Sequence, residues 1–314
     1  MSGIPVLTAA QVERAVAPER AVDAVRHAFV AHARGEWTMP PKVYVTNYPA
    51  GDFRAMPALG GGYALLKWIN SFPGNPAHGL PTVSGVVLLS EAETGQLRAV
   101  LDAGSVTALR TGAAAVLAAE TLARADAGAA AVIGAGVNGL ACARTFRARD
   151  RDVVLWDVDE ARAHDAADAV GATVAPSVEH ALAADIVVTV TPGHELLIHE
   201  GTLRRGQHIS LMGADGPGKA EVAGPELQRA HLFCDDWDQA SHGGELAHAV
   251  EAGIVTQDDV TAIGDVLTGD SAGRLDDDEI TAFDSTGLAI QDLAIALAAY
   301  EAAGELGDLQ RLEL

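Results

Sequence analysis

Ala129-Ala130-Ala131-Val132-Ile133-Gly134-Ala135-Gly136-Val137-Asn138-Gly139 is the stretch from which the rest of the chain is read. Its first five residues form a short, wholly apolar run, the pattern of a parallel strand buried on both faces. The run empties into Gly134, Gly136 and Gly139, a complete G-x-G-x-x-G, and then into the helical-looking Leu140–Arg149. In a dinucleotide-binding turn the first glycine permits the tight bend. The second lets backbone approach a pyrophosphate, and the third lets helix pack on strand. The N–H groups at the helix start, at Val137 and Asn138, then face the phosphates, helped by the helix dipole. A second strand, Asp152-Val153-Val154-Leu155-Trp156, ends in Asp157, twenty-one residues after Gly136. A carboxylate there meets the adenosine ribose hydroxyls. A lone G-x-G-x-x-G is weak; strand, fingerprint, helix, strand and acid in register point to a bound dinucleotide. Val158-Asp159-Glu160 follow with no immediate arginine to receive a 2′-phosphate, so NAD rather than NADP is expected.

The 314 residues allow two domains with a sizeable core. No signal peptide is evident at Met1–Thr8, and no apolar run reaches the roughly 18 residues of a spanning helix. Two cysteines, Cys142 and Cys234, sit in apolar surroundings and give no disulfide framework. A soluble, cytoplasmic protein without a membrane partner is the expectation. The formal net charge of −22 argues against nucleic acid, because phosphate binding needs a basic surface. The acid is dispersed, as on halophilic proteins of high-salt cytoplasm, where screening weakens self-repulsion; an ordinary acidic protein is the alternative. Only three lysines occur, Lys42, Lys67 and Lys219. Each is a candidate for a role that arginine cannot fill, such as proton exchange.

Ahead of the fingerprint, Thr8 opens a short helix and Pro18 a second, ended by Gly35. Strand-like runs follow at Lys42–Tyr48, Phe53–Ala55, Tyr63–Asn70, Val83–Ser90 and Gln96–Leu101, with short turns that predict a mainly antiparallel sheet. Lys67 follows Ala64-Leu65-Leu66. It is either a snorkelling edge residue or a desolvated amine suited to acid–base work. Ser105–Arg124 reads as a long helix whose Arg110 has an apolar setting that suits an anion-facing role. After Asp157, Ile186–Pro192 is a strand with Thr189 and Thr191 where a nicotinamide end lies in this architecture. Gln207–Met212 opens into Gly213-Ala214-Asp215-Gly216-Pro217-Gly218-Lys219 at the ligand edge, a carboxylate among glycines. Ser285 caps the last strand before the helix Leu288–Ala303. No metal site emerges: His194-Glu195-Leu196-Leu197-Ile198-His199 misses H-E-x-x-H by one residue, and there is no C-x-x-C.

Together the motifs resemble those of the ornithine cyclodeaminase/mu-crystallin family, most closely its archaeal alanine dehydrogenase branch. The resemblance runs from about Pro40 to Asp292 and is carried by Met39–Tyr44, Arg54–Ala58, Leu66–Ser71, Gly79–Val83, Leu109–Ala113, Gly213–Lys219, His242–Glu245 and Phe283–Asp292. It implies an α/β fold in which a Rossmann domain, 111–287, is inserted in a smaller α+β substrate-binding and dimerisation domain, 1–110 plus 288–314. It implies NAD as cofactor, a homodimer, and a small amino-acid or 2-oxo-acid substrate. Lys67, Arg110 and Asp215 fall on the family's catalytic positions, and Thr82 and Thr111 on its cofactor- or substrate-contacting ones. Lys42 stands where cyclodeaminases have an arginine for the substrate carboxylate. Arg54 replaces the Glu that holds ornithine's second ammonium, and with Lys67, Arg110 and Lys42 it is expected to bind substrate. The expected cofactor contacts are Thr82, Arg110, Thr111, Gly134, Gly136, Val137, Asn138, Gly139, Asp157, Thr189, Thr191, Met212, Gly213, Asp215 and Ser285. The implied activity is NAD-dependent interconversion of L-alanine with pyruvate and ammonia. Its rivals are ornithine cyclodeamination, imine or ketimine reduction, and non-enzymatic dinucleotide-dependent binding.

Overall fold

The computed structural model describes residues 3–192, 195–214, 216, 218–307 and 309–313. Asp215 and His194 lie outside the described residues. In chain order the strands and helices are β1 (Ile4–Leu7), α1 (Ala9–Ala15), α2 (Pro18–Ala33), β2 (Val43–Asn47), β3 (Gly51–Gly60), β4 (Tyr63–Ser71), β5 (Val83–Glu91), β6 (Leu97–Asp102) and α3 (Ala103–Leu122). Next come β7 (Ala130–Ile133), α4 (Val137–Ala148), β8 (Val153–Trp156), α5 (Glu160–Val170), β9 (Thr173–Val174), α6 (Val178–Leu182), β10 (Ile186–Thr189) and β11 (His208–Leu211). The chain continues with α7 (Gly224–Leu227), β12 (His231–Cys234), α8 (Trp237–Gly243), α9 (Ala247–Glu251), β13 (Val260–Ala262), α10 (Ile263–Thr268), β14 (Thr281–Asp284), α11 (Ala289–Ala302) and β15 (Gln310–Leu312). Two compact units result, 1–110 with 288–314 and 111–287, and the division falls inside α3.

The first unit is built on a sheet of order β15-β1-β6-β5-β4-β3-β2. Its hairpins from β2 to β6 are antiparallel, as the short turns predict, but β1 joins β6 in parallel. β1 and β15 carry no sequence signal of their own: each is three or four residues without a sustained alternation. β3 also runs well past the expected Ala55, straight through Pro57. The Leu59 N–H donates to Thr38, on the side of β3 away from β4, and the two-residue period aims the Pro57 nitrogen the same way. β2 has already ended there, its last pair being Val43 with Ala55, so the missing donor breaks no ladder bond. One sheet face is covered by α11, which packs on α2, β3 and β4 and is buried along nearly all its length.

The second unit is an eight-stranded parallel sheet, ordered β13-β12-β14-β11-β10-β7-β8-β9. The chain leaves β7 toward β8 and β9, then returns to lay β10 on the other side of β7. That reversal is the topological switch point of a Rossmann fold, beside which ligands bind at the strands' carboxyl ends. β7 is a continuous apolar run and β10 nearly so, while β11 carries His208 and Ser210, and all three strands are buried throughout. Among the described residues no helix is long and apolar enough to cross a membrane.

Candidate active site

In the first unit, the two-residue period of β4 places Lys67. Leu65, Lys67 and Ile69 turn to the buried face, and Leu66 and Trp68 to the exposed one. Lys67 does not snorkel, for only 1 % of it is exposed. Its Nζ lies 2.6 Å from Asp292 Oδ2, in the first turn of α11, and 3.3 Å from Thr107 Oγ1 on α3. One turn after Thr107, Arg110 brings its Nε to 3.7 Å from the other Asp292 oxygen. That Nε is buried and has no hydrogen-bond partner among the described residues. Two cations thus share one fully buried carboxylate, and the surplus positive charge suits a small anionic ligand. Burial pulls the Lys67 ammonium down to about 8; the Asp292 charge and hydrogen bond oppose this, while the Arg110 and Lys42 charges add to it. An amine in that range gives and takes protons near neutral pH.

Arg54 shares this sheet face, because Met56 between the two is the cross-strand partner of Lys67. It is not a solvent arm. Asp52 accepts from its Nε at 2.7 Å and its Nη2 at 3.3 Å, Tyr44 lies 5.4 Å from its guanidinium carbon, and 11 % of the side chain is exposed. Lys42 is half-buried, as is Thr82, whose carbonyl accepts the Phe72 N–H at 2.8 Å.

In the second unit the first and third glycines of the turn have the geometry expected of them. Gly134 holds φ +106°, and a Cβ on Gly139 would stand 1.7 Å from the Gly134 carbonyl oxygen, so α4 can seat on β7 only through a bare Cα. Gly136 caps α4 with nothing within 4 Å of where its Cβ would be. Protein packing does not require a glycine there. Val137, 74 % exposed, and Asn138 open the helix beside this space. Asp157 Oδ2 accepts the Ala135 N–H at 2.7 Å, so the acid expected at the ribose also braces the turn. The first turn of α5 carries Arg162 back to Asp157, with Nη1 3.4 Å from Oδ1, although no arginine follows immediately in sequence. Thr111, the first residue of this unit, is buried.

Thr189 and Thr191, expected at the nicotinamide end, donate their hydroxyls to Glu221 at 2.7 and 2.5 Å. Gly213 is confined by the same carboxylate, since a Cβ there would lie 2.5 Å from Glu221 Oε2. The Met212 N–H donates to the Thr189 carbonyl at 2.8 Å. Glu245 in turn accepts the Glu221 and Val222 N–H groups, each at 2.7 Å. Burial pushes Glu245 up to about 8, with the Glu221 charge adding to it, and burial likewise raises Glu221 and Asp284. Ser285 gives its hydroxyl to Asp235 at 3.3 Å, and Thr286 and the Gly287 N–H bond the same carboxylate. The expected side chains therefore stand on a second layer of buried acids. None of these acids carries a local spacing signal; Glu245 and Asp284 occur in the His242–Glu245 and Phe283–Asp292 motifs, and Glu221 in none. Asp292 and Asp52 were missed as site residues for the same reason.

The profile of the ornithine cyclodeaminase/mu-crystallin family matches residues 4–306. Alanine dehydrogenase of Archaeoglobus fulgidus is 42 % identical over 310 residues, covering 94 % of each chain. Among solved structures, an archaeal alanine dehydrogenase dimer with bound NAD superposes with a TM-score of 0.93 at 41 % identity, covering 99 % of each chain. The Δ1-pyrroline-2-carboxylate reductase of Thermococcus litoralis, in complex with NADH and L-proline, gives a TM-score of 0.92 at 25 % identity, covering 98 % of this chain and all of the other. With its Rossmann unit, its glycine turn and relatives of this extent, the chain belongs to the ornithine cyclodeaminase/mu-crystallin family.

Proposed function

We propose that this protein is an NAD-dependent alanine dehydrogenase: L-alanine, NAD and water give pyruvate, ammonium, NADH and a proton. The observation that carries the substrate choice is the pairing of acids in the first unit. Its buried acids are Asp52 and Asp292, and each already faces a cation, Arg54 or Lys67. Ornithine would bring a second ammonium into this setting with no unmatched buried carboxylate among the described residues of the unit to receive it, and an unpaired buried charge is costly. A short apolar side chain needs no such partner. Because Asp52 neutralises Arg54, the arginine alone does not repel an ammonium; what favours alanine is that the buried acids described in this unit are already matched.

Within this reading Arg110 and Arg54 hold the substrate carboxylate in the fork geometry that guanidinium favours. When bound, NAD supplies the oxidant that takes the hydride from Cα. Positive charge then builds on the Cα–N unit, and Asp215, assigned by resemblance, offsets it. Lys67, titrating near neutral pH, exchanges the proton that must leave the water adding to Cα. Gly134, Gly136, Gly139, Val137 and Asn138 serve the pyrophosphate and Asp157 the ribose.

The deciding assay offers the protein L-alanine with NAD, L-ornithine with NAD, and Δ1-pyrroline-2-carboxylate with NADH. NADH formed from alanine, with no proline from ornithine, is the expected result. Proline from ornithine without net NADH would replace the reading by cyclodeamination. NADH consumed by the cyclic imine, with alanine inert, would replace it by imine reduction. Tight NADH binding without turnover would make the protein a binder.

The same reading includes a homodimer. Val43 and Val45 on β2, Trp68 on β4 and Val86 on β5 share the sheet face opposite Lys67, and all are exposed, with Phe53 stacked on Trp68 at 5.7 Å. An apolar patch of this kind marks an interface, and a second copy of the chain fits it without any charge to match. Trp68→Glu is expected to convert a dimer to a monomer in sedimentation equilibrium. A wild-type protein that is monomeric at all concentrations overturns the assignment.

A further inference from the structure

We propose that Asp292 is the positioning residue of this site. By holding Lys67 and Arg110 on the two oxygens of one buried carboxylate, it fixes the aim of the amine and the guanidinium together and sets which form the amine keeps. The inference rests on the reading of Lys67 as the proton-exchanging group.

Three observations support it. First, the carboxylate is fully buried and meets both cations, Lys67 Nζ at 2.6 Å and Arg110 Nε at 3.7 Å. Second, its mount is rigid. Gln291, also fully buried, accepts the Leu288 N–H at 3.0 Å and ties down the start of α11, while Leu288, Ile290, Leu293 and Ile295 are fully buried around it. A site is precise when its supporting residues are locked in this way. Third, the charges that face Lys67 are unbalanced without it. Arg110 approaches from α3 and Lys42 from the segment ahead of β2, both cations; Asp292 on α11 is the anion that opposes them at the amine. The first turn of a helix also favours a negative charge at this position.

The sign follows directly. Burial, Arg110 and Lys42 all favour the neutral amine, and Asp292 alone opposes them. Removing its charge therefore lowers the pH at which Lys67 loses its proton. The chain's three lysines make this directly readable. Protein labelled with 13C at the lysine ε-carbon gives three signals to titrate, and Lys67→Arg identifies the Lys67 line by its disappearance. In the wild type the Lys67 midpoint is expected at about 8. In Asp292→Asn it should fall by about one pH unit or more, and the matching limb of the kcat/KM profile should move with it. In Asp292→Glu, which keeps the charge but displaces the amine, the midpoint should stay within about half a unit while kcat falls about tenfold or more and KM changes little.

A midpoint unmoved or raised in the Asn variant overturns the proposal. Should that variant fail to fold, judged by thermal unfolding and NADH binding, the Glu variant decides: wild-type kcat, or a midpoint that shifts as far as loss of the charge would require, overturns it. The NMR titration reads Lys67 whether or not that residue takes part in turnover. An active Lys67→Arg enzyme would thus sink the functional reading and leave the Asp292 result standing.

Discussion

Lys67→Arg is expected to lower kcat for L-alanine oxidation by about a thousandfold, while the Kd for NADH stays within about threefold. The choice of arginine matters. Lys67→Ala would leave Asp292 buried beside Arg110 alone, and removing one partner of a buried pair costs about 3–5 kcal/mol, so a dead alanine variant could be a partly unfolded one. Arginine keeps a cation for Asp292 but is protonated at every working pH. What it takes away is the ability to exchange a proton near neutrality, which burial confers on Lys67 by drawing its ammonium down to about 8. The glycine turn lies in the other unit, so cofactor affinity is an internal control. Steady-state rates together with an NADH fluorescence titration check both halves. Turnover within about tenfold of wild type would mean that proton exchange resides elsewhere.

The glycine turn gives a second, opposed pair of results. Gly136→Val should lose NADH affinity by about 100-fold or more, close to 2.8 kcal/mol, with its melting temperature unchanged within about two degrees. Its φ of −70° admits any side chain, and nothing within 4 Å resists one. The valine would stand only in the path of the pyrophosphate. Gly139→Ala should do the reverse first: its Cβ meets the Gly134 carbonyl, backbone against backbone, with no flexible side chain to yield. Overpacking of this kind costs about 1–3 kcal/mol or more, so the melting temperature should fall by several degrees, with affinity lost as a consequence. Equal NADH affinity in Gly136→Val and wild type would remove the pyrophosphate from this turn.

The dinucleotide half of the protein was legible because its rules are local. Gly134, Gly136, Gly139 and Asp157 lie within one βαβ unit, where spacing along the chain dictates position in space. Arg162 escaped because a helical turn, rather than adjacency, returns it to Asp157. Lys67 was half legible. The apolar run before it suggested burial, but its counter-ion is on a helix that begins after the whole Rossmann unit, and no periodicity links the two. The hydroxyls of Thr189 and Thr191 were expected at the ligand, while the acid that takes them, Glu221, sits in an irregular segment with neither a two-residue nor a 3.6-residue period. Helix limits moved only slightly, as at α3, which starts at Ala103 where Ser105 was expected.

The insertion of one unit within the other also bears on how the chain matures. Residues 111–287 are contiguous, and every strand of their sheet is available once that stretch has left the ribosome. The flanking unit is different: β1 must wait for β15, and β3 and β4 for α11, all made at the far end of the chain. Until then Lys67 lacks its carboxylate and the apolar face meant for α11 stands open. Contacts so distant in sequence form slowly, because loop closure precedes any gain. The nascent protein therefore holds the whole contiguous unit before Lys67 meets Asp292, and a ligand bound to that unit can stabilise the chain while the flanking segments are still apart.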